Sequence, residues 1–324
     1  MHGSDGGFSA ADQTDPNYFY GETQWLGVHR SSNGGASSAR IDGCGKAAPY
    51  RLDDGCNLTT NFISPIVLDP NQPNRLLAGG QRLWRTDDAR TATTGTTGPA
   101  WAVIKTQTSG NSSISAIAVP SGDSDLVWIG HNNGDVYKTT SGTSPNPIWN
   151  LVDTGLPNRV ATSIAITPSN NNIVYVSFGG FNSGNLWKTT DGGGGWANAG
   201  AGLPSVPVRS VVVHPTNQDW IYVGTDVGVF ASENAGASWN VPHDGPANVA
   251  VFNLFWMNTT LVAVTHGRGM FTAAVAGTPP APVITQHPAP RKIVVGSSTT
   301  FTAGATGAPT INKVDMAARA GRFC

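Results

Sequence analysis

The sequence predicts an all-β fold, a β-propeller in which six blades are visible. The first observation is that two adjacent stretches, 173–196 and 221–239, repeat one order of elements. Each has a strand rich in β-branched and aromatic residues, a turn, a second strand, a glycine-rich turn and a tryptophan. The second observation is the abundance of glycine (40) and proline (22) beside only 12% charged residues, which favours short strands joined by tight turns.

The third observation is that the second of these strands recurs six times along the chain. The six copies are 28–35, 83–88, 136–142, 186–193, 229–236 and 270–275. Their spacing of roughly 40 to 55 residues is that of four-stranded propeller blades. The repeats themselves span 1–43, 48–106, 113–152, 160–199, 208–242 and 249–276.

The first repeat reads as three strands, and the sixth has no fourth strand. A propeller that is not closed leaves a free sheet edge. The last blade could have only three strands, or the chain tail could supply the fourth, or a partner chain could do so. The last case predicts a homo-oligomer formed through the unclosed blade as one alternative. A seventh blade in a longer parent protein is another.

The glycine-rich turns carry a more specific signal. Thr189 to Trp196 reads TTDGGGGW, and Ser232 to Trp239 reads SENAGASW. Both resemble the Asp-box of BNR-repeat propellers, S/T-x-D-x-G-x-S/T-W, with Gly195 in place of the second hydroxyl residue and Asn234 in place of the aspartate. The family includes sialidases, xyloglucan-degrading enzymes and sortilin-type receptors. The resemblance therefore implies the fold and a structural role for Asp191, and it leaves the function open.

Composition excludes several classes of function. The formal net charge of −1 gives no general attraction to nucleic acid. No apolar run approaches the ~20 residues that span a bilayer. Cys44 and Cys56 flank a polar loop, and a disulfide between them would place the chain in an oxidising compartment. The alternative is two free thiols in a cytosolic protein. Low lysine content also suits a bacterial protein that is secreted, periplasmic or at the cell surface.

The chain after the repeats changes in composition. We expect a propeller over 1–276, followed by a proline-rich linker over 277–290. Residues 291–311 resemble the first strands of a bacterial Ig-like domain, too short for a sandwich of roughly 100 residues. Residues 312–324 read as a non-native tail.

Ionisable residues recur in the loops between the second and third strands and in the connections between blades. In a propeller these loops share one face, around the central channel. The predicted catalytic residues are Glu22, His131, Asp226, His266 and Arg268. The predicted ligands of a divalent metal (zinc, manganese or calcium) are His131, His243, His266 and Asp226. The predicted substrate contacts are Arg159, Arg209, Asp244 and Trp25.

These residues support a hydrolase hypothesis. A metal-activated water would attack a phosphoester, an ester or a glycoside, and the arginines would hold the substrate. Two family activities fit poorly: no tyrosine is placed for a sialidase, and a xyloglucanase pairs two propellers. His266 and Arg268 also have a packing interpretation, since THGRGMF resembles the closing-blade motif of such propellers.

The expected partner of the hydrolase is a small-molecule or polysaccharide substrate. The rival hypothesis is a module that binds a polysaccharide or a protein without chemistry, because the sequence has no firm catalytic motif. It predicts exposed aromatic residues near the channel, with Trp25 and Phe181 as candidates.

Overall fold

Six antiparallel sheets follow one another over residues 6–274, and this confirms the predicted all-β propeller of six blades. The first four sheets have four strands each, paired in sequence order. Blade 1 contains β1 Gly6–Ala11, β2 Phe19–Thr23, β3 Gly27–Ser31 and β4 Ala39–Arg40. Blade 2 contains β5 Ile66–Leu68, β6 Leu76–Gly79, β7 Leu83–Thr86 and β8 Ala102–Lys105. Blade 3 contains β9 Ile114–Ala118, β10 Leu126–His131, β11 Val136–Thr140 and β12 Asn150–Leu151. Blade 4 contains β13 Ala161–Thr167, β14 Asn170–Phe178, β15 Leu186–Thr189 and β16 Ala197–Asn198.

The last two sheets have three strands each. Blade 5 contains β17 Val208–Val213, β18 Ile221–Thr225 and β19 Gly228–Ser232, and blade 6 contains β20 Val251–Met257, β21 Thr260–Thr265 and β22 Met270–Ala274. A single bridge from Ala231 to Asn240 begins a fourth strand in blade 5. Blade 1 differs from the sequence prediction of three strands. Its fourth strand is only two residues long and follows a turn in which Ser38 stands where the other repeats have tryptophan.

Neighbouring blades contact each other through their first strands, in the order β1, β5, β9, β13, β17 and β20. In blades 2 to 5 a tryptophan opens the fourth strand and strengthens these contacts. Its indole N–H donates to a carbonyl oxygen in or just after the fourth strand of the preceding blade. The four pairs are Trp101 with Ile41 at 2.9 Å, Trp149 with Ile104 at 2.8 Å, Trp196 with Val152 at 2.6 Å and Trp239 with Ala199 at 2.9 Å. The same type of contact is therefore repeated between successive blades from blade 1 to blade 5.

Five hydrophobic clusters lie between successive blades, from blades 1 and 2 to blades 5 and 6. Within the described residues, no sixth cluster joins blade 6 back to blade 1. The outer faces of these two blades accordingly expose apolar side chains, among them Phe8 and Phe19 on blade 1 and Phe255 and Met270 on blade 6. These are the surfaces that self-association would use, and the homo-oligomer stays a prediction.

The glycine-rich turns close with side-chain hydrogen bonds of the kind that the Asp-box resemblance implies. The Thr189 hydroxyl donates to Asp191 Oδ1 at 2.7 Å, and the amide of Gly195 donates to the same oxygen at 3.0 Å. Ser232 and Asn234 make the equivalent bonds in blade 5. Because these groups satisfy the backbone of the turn, Asp191 has a structural role.

The structure is a computed structural model that describes residues 5–240 and 245–275 and the backbone of two further strands. Those strands, β23 Val283–Gln286 and β24 Gly304–Thr306, pair with each other in antiparallel fashion. The rest of the predicted linker, Ig-like stub and tail lies outside the described residues. Within the described residues, helical structure is limited to a 3₁₀ turn at Gln24–Leu26 and to α1 Asp53–Cys56. In the part of the chain that is described, no helix is both long and apolar enough to cross a membrane.

Candidate functional site

The loops between the second and third strands of every blade emerge on one side of the row of blades, which we call the hairpin face. The connections between blades reach the same side, and the Asp-box turns lie on the opposite side. The predicted site residues that belong to the hairpin face and are described are Glu22, Trp25, His131, Arg159, Arg209, Asp226, His266 and Arg268. His243 and Asp244 lie outside the described residues.

The predicted metal site is not assembled by the residues described. Among them, no three or more His, Cys, Asp or Glu side chains lie close enough together to hold a metal ion. His131 is fully buried in blade 3, and its Nδ1 lies 2.9 Å from the carbonyl oxygen of Ser112. Its ring packs edge-on against Tyr137, and burial lowers the pKa of His131 to about 4. His266 is exposed on blade 6. The surroundings of His131 fit a core histidine better than a metal ligand.

Glu22 lies at the end of β2, and its side chain is 2% exposed. Its Oε1 accepts hydrogen bonds from the amides of Ser64 (3.1 Å) and Leu26 (3.3 Å). The Phe8 amide also lowers the pKa, but no described donor reaches Oε2 with hydrogen-bond geometry. Burial is the largest effect, and it raises the pKa of Glu22 to about 7. The carboxyl group therefore connects blade 1 to the loop before blade 2, and its pKa lies above the usual range of a glutamate.

An exposed aromatic pair comes from the two segments whose amides bond Glu22. Trp25 is 39% exposed and Phe62 is 48% exposed. Their rings meet edge to face with centroids 5.4 Å apart, and the Trp25 amide donates to the Phe62 carbonyl oxygen at 2.9 Å. Leu58, also exposed, belongs to the same loop that carries Phe62. We call Trp25, Leu58 and Phe62 the aromatic platform.

The backbone beneath the platform is strained. Trp25 and Leu26 have φ angles of 62° and 61°, in the left-handed region that non-glycine residues rarely enter. Two such residues cost about 1–3 kcal/mol each, and strain of this kind concentrates at functional sites. The strained turn is the part of the chain that directs the Trp25 ring away from the core. In this turn the Trp25 side chain is exposed, while that of the neighbouring Leu26 is fully buried.

The strained turn is held by a loop that contains α1. A β-carbon on Gly55 would lie 2.8 Å from the Leu26 carbonyl oxygen, so only glycine permits this approach. Cys44 and Cys56 are joined in a disulfide at the ends of the loop, which is the pairing that the sequence predicts. On the other side, the Asn61 and Asn132 side-chain amides bond to each other at 2.6 Å and fix the Phe62 loop to blade 3.

A second cluster lies at the boundary of blades 5 and 6. Arg209 forms an ion pair with Asp226 through its Nε, so the Asp226 carboxylate is already engaged. The Arg209 guanidinium lies over the Phe252 ring, 4.4 Å from its centroid. His266 contacts the same ring with centroids 5.6 Å apart. The structure thus brings together Arg209, Asp226 and His266, and Phe252 is the residue that connects them.

Two further predicted residues lie apart from both clusters. Arg159 donates through Nη2 to the Gly184 carbonyl oxygen at 3.2 Å and so braces the hairpin that carries Phe181. Phe181 is 74% exposed, as the rival hypothesis expects. Arg268 is exposed on the last hairpin, where Nη1 lies 3.4 Å from the Ala247 carbonyl oxygen.

Sequence reasoning missed three apolar residues of the hairpin face, Leu58, Phe62 and Phe252. A signal was available for Phe62, because this phenylalanine follows the polar residues Thr59, Thr60 and Asn61. Phe252 carries no such signal, since it lies in an apolar strand in which Val251 and Leu254 are the buried residues.

A comparison of the chain with family models finds no match, and neither does a comparison with curated proteins. Solved structures do match. The chain is similar to a GH74 enzyme from Niastella koreensis, with 18% identity, a TM-score of 0.55 and 83% of this chain covered against 45% of that one. An ancestral GH74 enzyme matches with 18% identity and a TM-score of 0.56, covering 83% of this chain and 36% of that one.

A third similar structure is the extracellular domain of the hybrid two-component system BT4673 from B. thetaiotaomicron. It shares 16% identity at a TM-score of 0.54, with 83% of this chain and 32% of that chain covered. This chain therefore spans less than half the length of each of these structures. At such identities the likeness supports the propeller fold alone.

Proposed function

We propose that this propeller binds polysaccharide on its hairpin face, with the aromatic platform as the main contact. The observation that carries the proposal is the exposed Trp25–Phe62 pair, held out of the core by strained backbone. Sugar rings have apolar C–H faces that pack on aromatic rings, and an indole combines such a surface with a polar N–H. Phe181 and Phe252 continue the exposed aromatic surface on blades 4 and 6.

The similar structures are compatible with this proposal in two ways. Two are named as GH74 enzymes, which are glycoside hydrolases, and one is the extracellular domain of a signalling protein. The same fold thus occurs in an enzyme and in a sensor, so the choice rests on the site. The disulfide supports a location outside the cytoplasm, where a polysaccharide ligand would be met. The described residues provide no metal site, so the proposed function includes neither the metal-activated water nor the phosphoester substrates of the sequence prediction.

Replacing Trp25 with alanine should weaken polysaccharide binding by about tenfold or more, the loss that truncation of a central tryptophan typically causes. Isothermal titration against a panel of soluble polysaccharides measures this. Phe8→Ala is the matched control, because Phe8 is equally exposed (38%) but lies on the outer face of blade 1. Binding should also survive a chelator. Equal affinities of the Trp25 variant and the parent protein would rule out the platform.

Glycoside hydrolysis is a second candidate, and the protonation of Glu22 favours it. A glycosidase needs a carboxyl group whose raised pKa keeps it protonated as a general acid, together with a second carboxylate. Glu22, with a pKa of about 7, meets the first requirement, and its Oε1 accepts a hydrogen bond from the amide of Leu26, the residue after Trp25. If this candidate holds, the protein releases reducing ends from the polysaccharide it binds, and Glu22→Gln stops the release while binding remains. A parent protein that binds but releases no reducing ends would reject it.

A further inference from the structure

The cluster at blades 5 and 6 differs from the aromatic platform in its charge. The Arg209 side chain is 33% exposed, and its guanidinium is fixed on two sides, by Asp226 at Nε and by the Phe252 ring below. Within the described residues, neither terminal nitrogen of Arg209 makes a hydrogen bond. Phe252 itself is 47% exposed. The arrangement presents a guanidinium of fixed orientation beside an open aromatic surface.

The chemistry of such a guanidinium is specific. Its two terminal nitrogens form a planar fork that matches the two oxygens of a carboxylate or a sulfate. Because Asp226 and Phe252 already hold the side chain, little rotamer freedom is lost when an anion binds. The ring of Phe252 offers an apolar contact for the sugar that carries the anionic group. Arg209 and Phe252 together therefore have the features of a binding site for an acidic sugar.

The formal charges on this part of the hairpin face are balanced. Arg159, Arg209 and Arg268 lie in its loops, and the acidic residues of the same loops are Asp153, Asp226 and Asp244, the last of which is outside the described residues. A preference for an anionic ligand would therefore come from the fixed orientation of the Arg209 guanidinium beside Phe252, and not from a positive field over the whole face.

We infer that the polysaccharide bound on the hairpin face is acidic, and that Arg209 on the Phe252 ring binds its carboxylate or sulfate groups. This inference rests on the proposed function and adds a substrate class to it. The aromatic platform contacts sugar rings of any charge. The blade 5 and 6 cluster selects polymers that carry anionic groups.

The test compares polymers of matched length and different charge by isothermal titration: a neutral glucan, polygalacturonate, its methyl ester and a sulfated galactan. We expect the acidic polymers to bind at least about tenfold more tightly than the neutral ones, the effect of a charged hydrogen-bonded pair. Arg209→Gln should remove this preference and leave the affinity for the neutral glucan unchanged. If Arg209→Gln lowers the affinity for polygalacturonate more than that for the sulfated galactan, the preferred anionic group is a carboxylate. The opposite order identifies a sulfate.

Lys188→Gln is the control, because Lys188 lies on β15 against Tyr175 and away from the cluster. Arg209→Lys keeps the charge without the fork, so it should recover only part of the preference. Urea unfolding of each variant checks that it folds. Equal binding of acidic and neutral polymers, or a preference that survives Arg209→Gln, overturns the inference and leaves the proposed function standing. No binding to any polymer overturns both.

Discussion

Replacing Trp128 with alanine should lower the free energy of unfolding by about 4 kcal/mol, as is typical for a buried tryptophan reduced to alanine. Trp128 lies on β10 with no exposed surface, between blades 3 and 4. Its ring meets that of Trp196 edge to face at 6.2 Å, and Trp196 in turn donates to the Val152 carbonyl oxygen. The substitution would therefore open a cavity at a contact that joins two blades. Urea unfolding gives the change directly.

The matched control is Ile148→Ala, since Ile148 is 74% exposed and its truncation should change stability by less than about 0.5 kcal/mol. Trp128→Phe should give an intermediate loss, because it keeps part of the buried ring. A loss below about 1 kcal/mol for Trp128→Ala would mean that the blades are not held together by this packing.

Replacing Glu22 with glutamine should change how stability depends on pH, because folding raises the pKa of Glu22 from 4.5 to about 7. Between these values the folded state binds more protons than the unfolded state, so stability falls as pH rises through this window. The full effect is about 3 kcal/mol, at about 1.4 kcal/mol for each pKa unit. Glutamine cannot ionise, so the variant should gain this amount relative to the parent protein between pH 4.5 and 7.5.

His131 acts in the opposite direction. Folding lowers its pKa from 6.5 to about 4, so its contribution is complete above pH 6.5 and is lost as pH falls toward 4. In the parent protein the two effects largely cancel between pH 4.5 and 6.5. The Glu22 variant should therefore show a rise in stability with pH that the parent protein does not show. Glu233→Gln, at an exposed residue, is the control. The same stability difference at both pH values would contradict the shifted pKa of Glu22.

The fold could be predicted from the sequence because its signals are local. The Asp191 turn uses residues within eight positions of each other, and the tryptophan that follows it packs on the preceding blade in the same way each time. Blade 1 shows the limit of this signal. Its fourth strand was not predicted, since a two-residue strand after Ser38 has neither the tryptophan nor enough length to form a pattern.

The site was harder to predict because it depends on contacts between distant parts of the chain. His131 reads as an accessible loop residue, yet Ser112 and Tyr137 enclose it. Asp226 was predicted as a catalytic residue and metal ligand and Arg209 as a substrate contact, and the structure pairs them. The exposure of Trp25 was expected, but its partner Phe62 comes from the loop before the next blade. The repeat pattern indicates which loops carry ionisable residues, whereas the burial and pairing of those residues depend on contacts that the sequence does not show.

The most direct test of the central claim, that polysaccharide binds on the hairpin face, is hydroxyl-radical footprinting of the protein with and without its best-binding polysaccharide. We expect binding to protect Trp25, Leu58 and Phe62 from oxidation, and to protect Phe252 less. Trp196 and Trp239, beside the Asp-box turns on the opposite side, should react equally in both samples. Protection confined to that opposite side, or no protection of Trp25 at saturating polysaccharide, would contradict it.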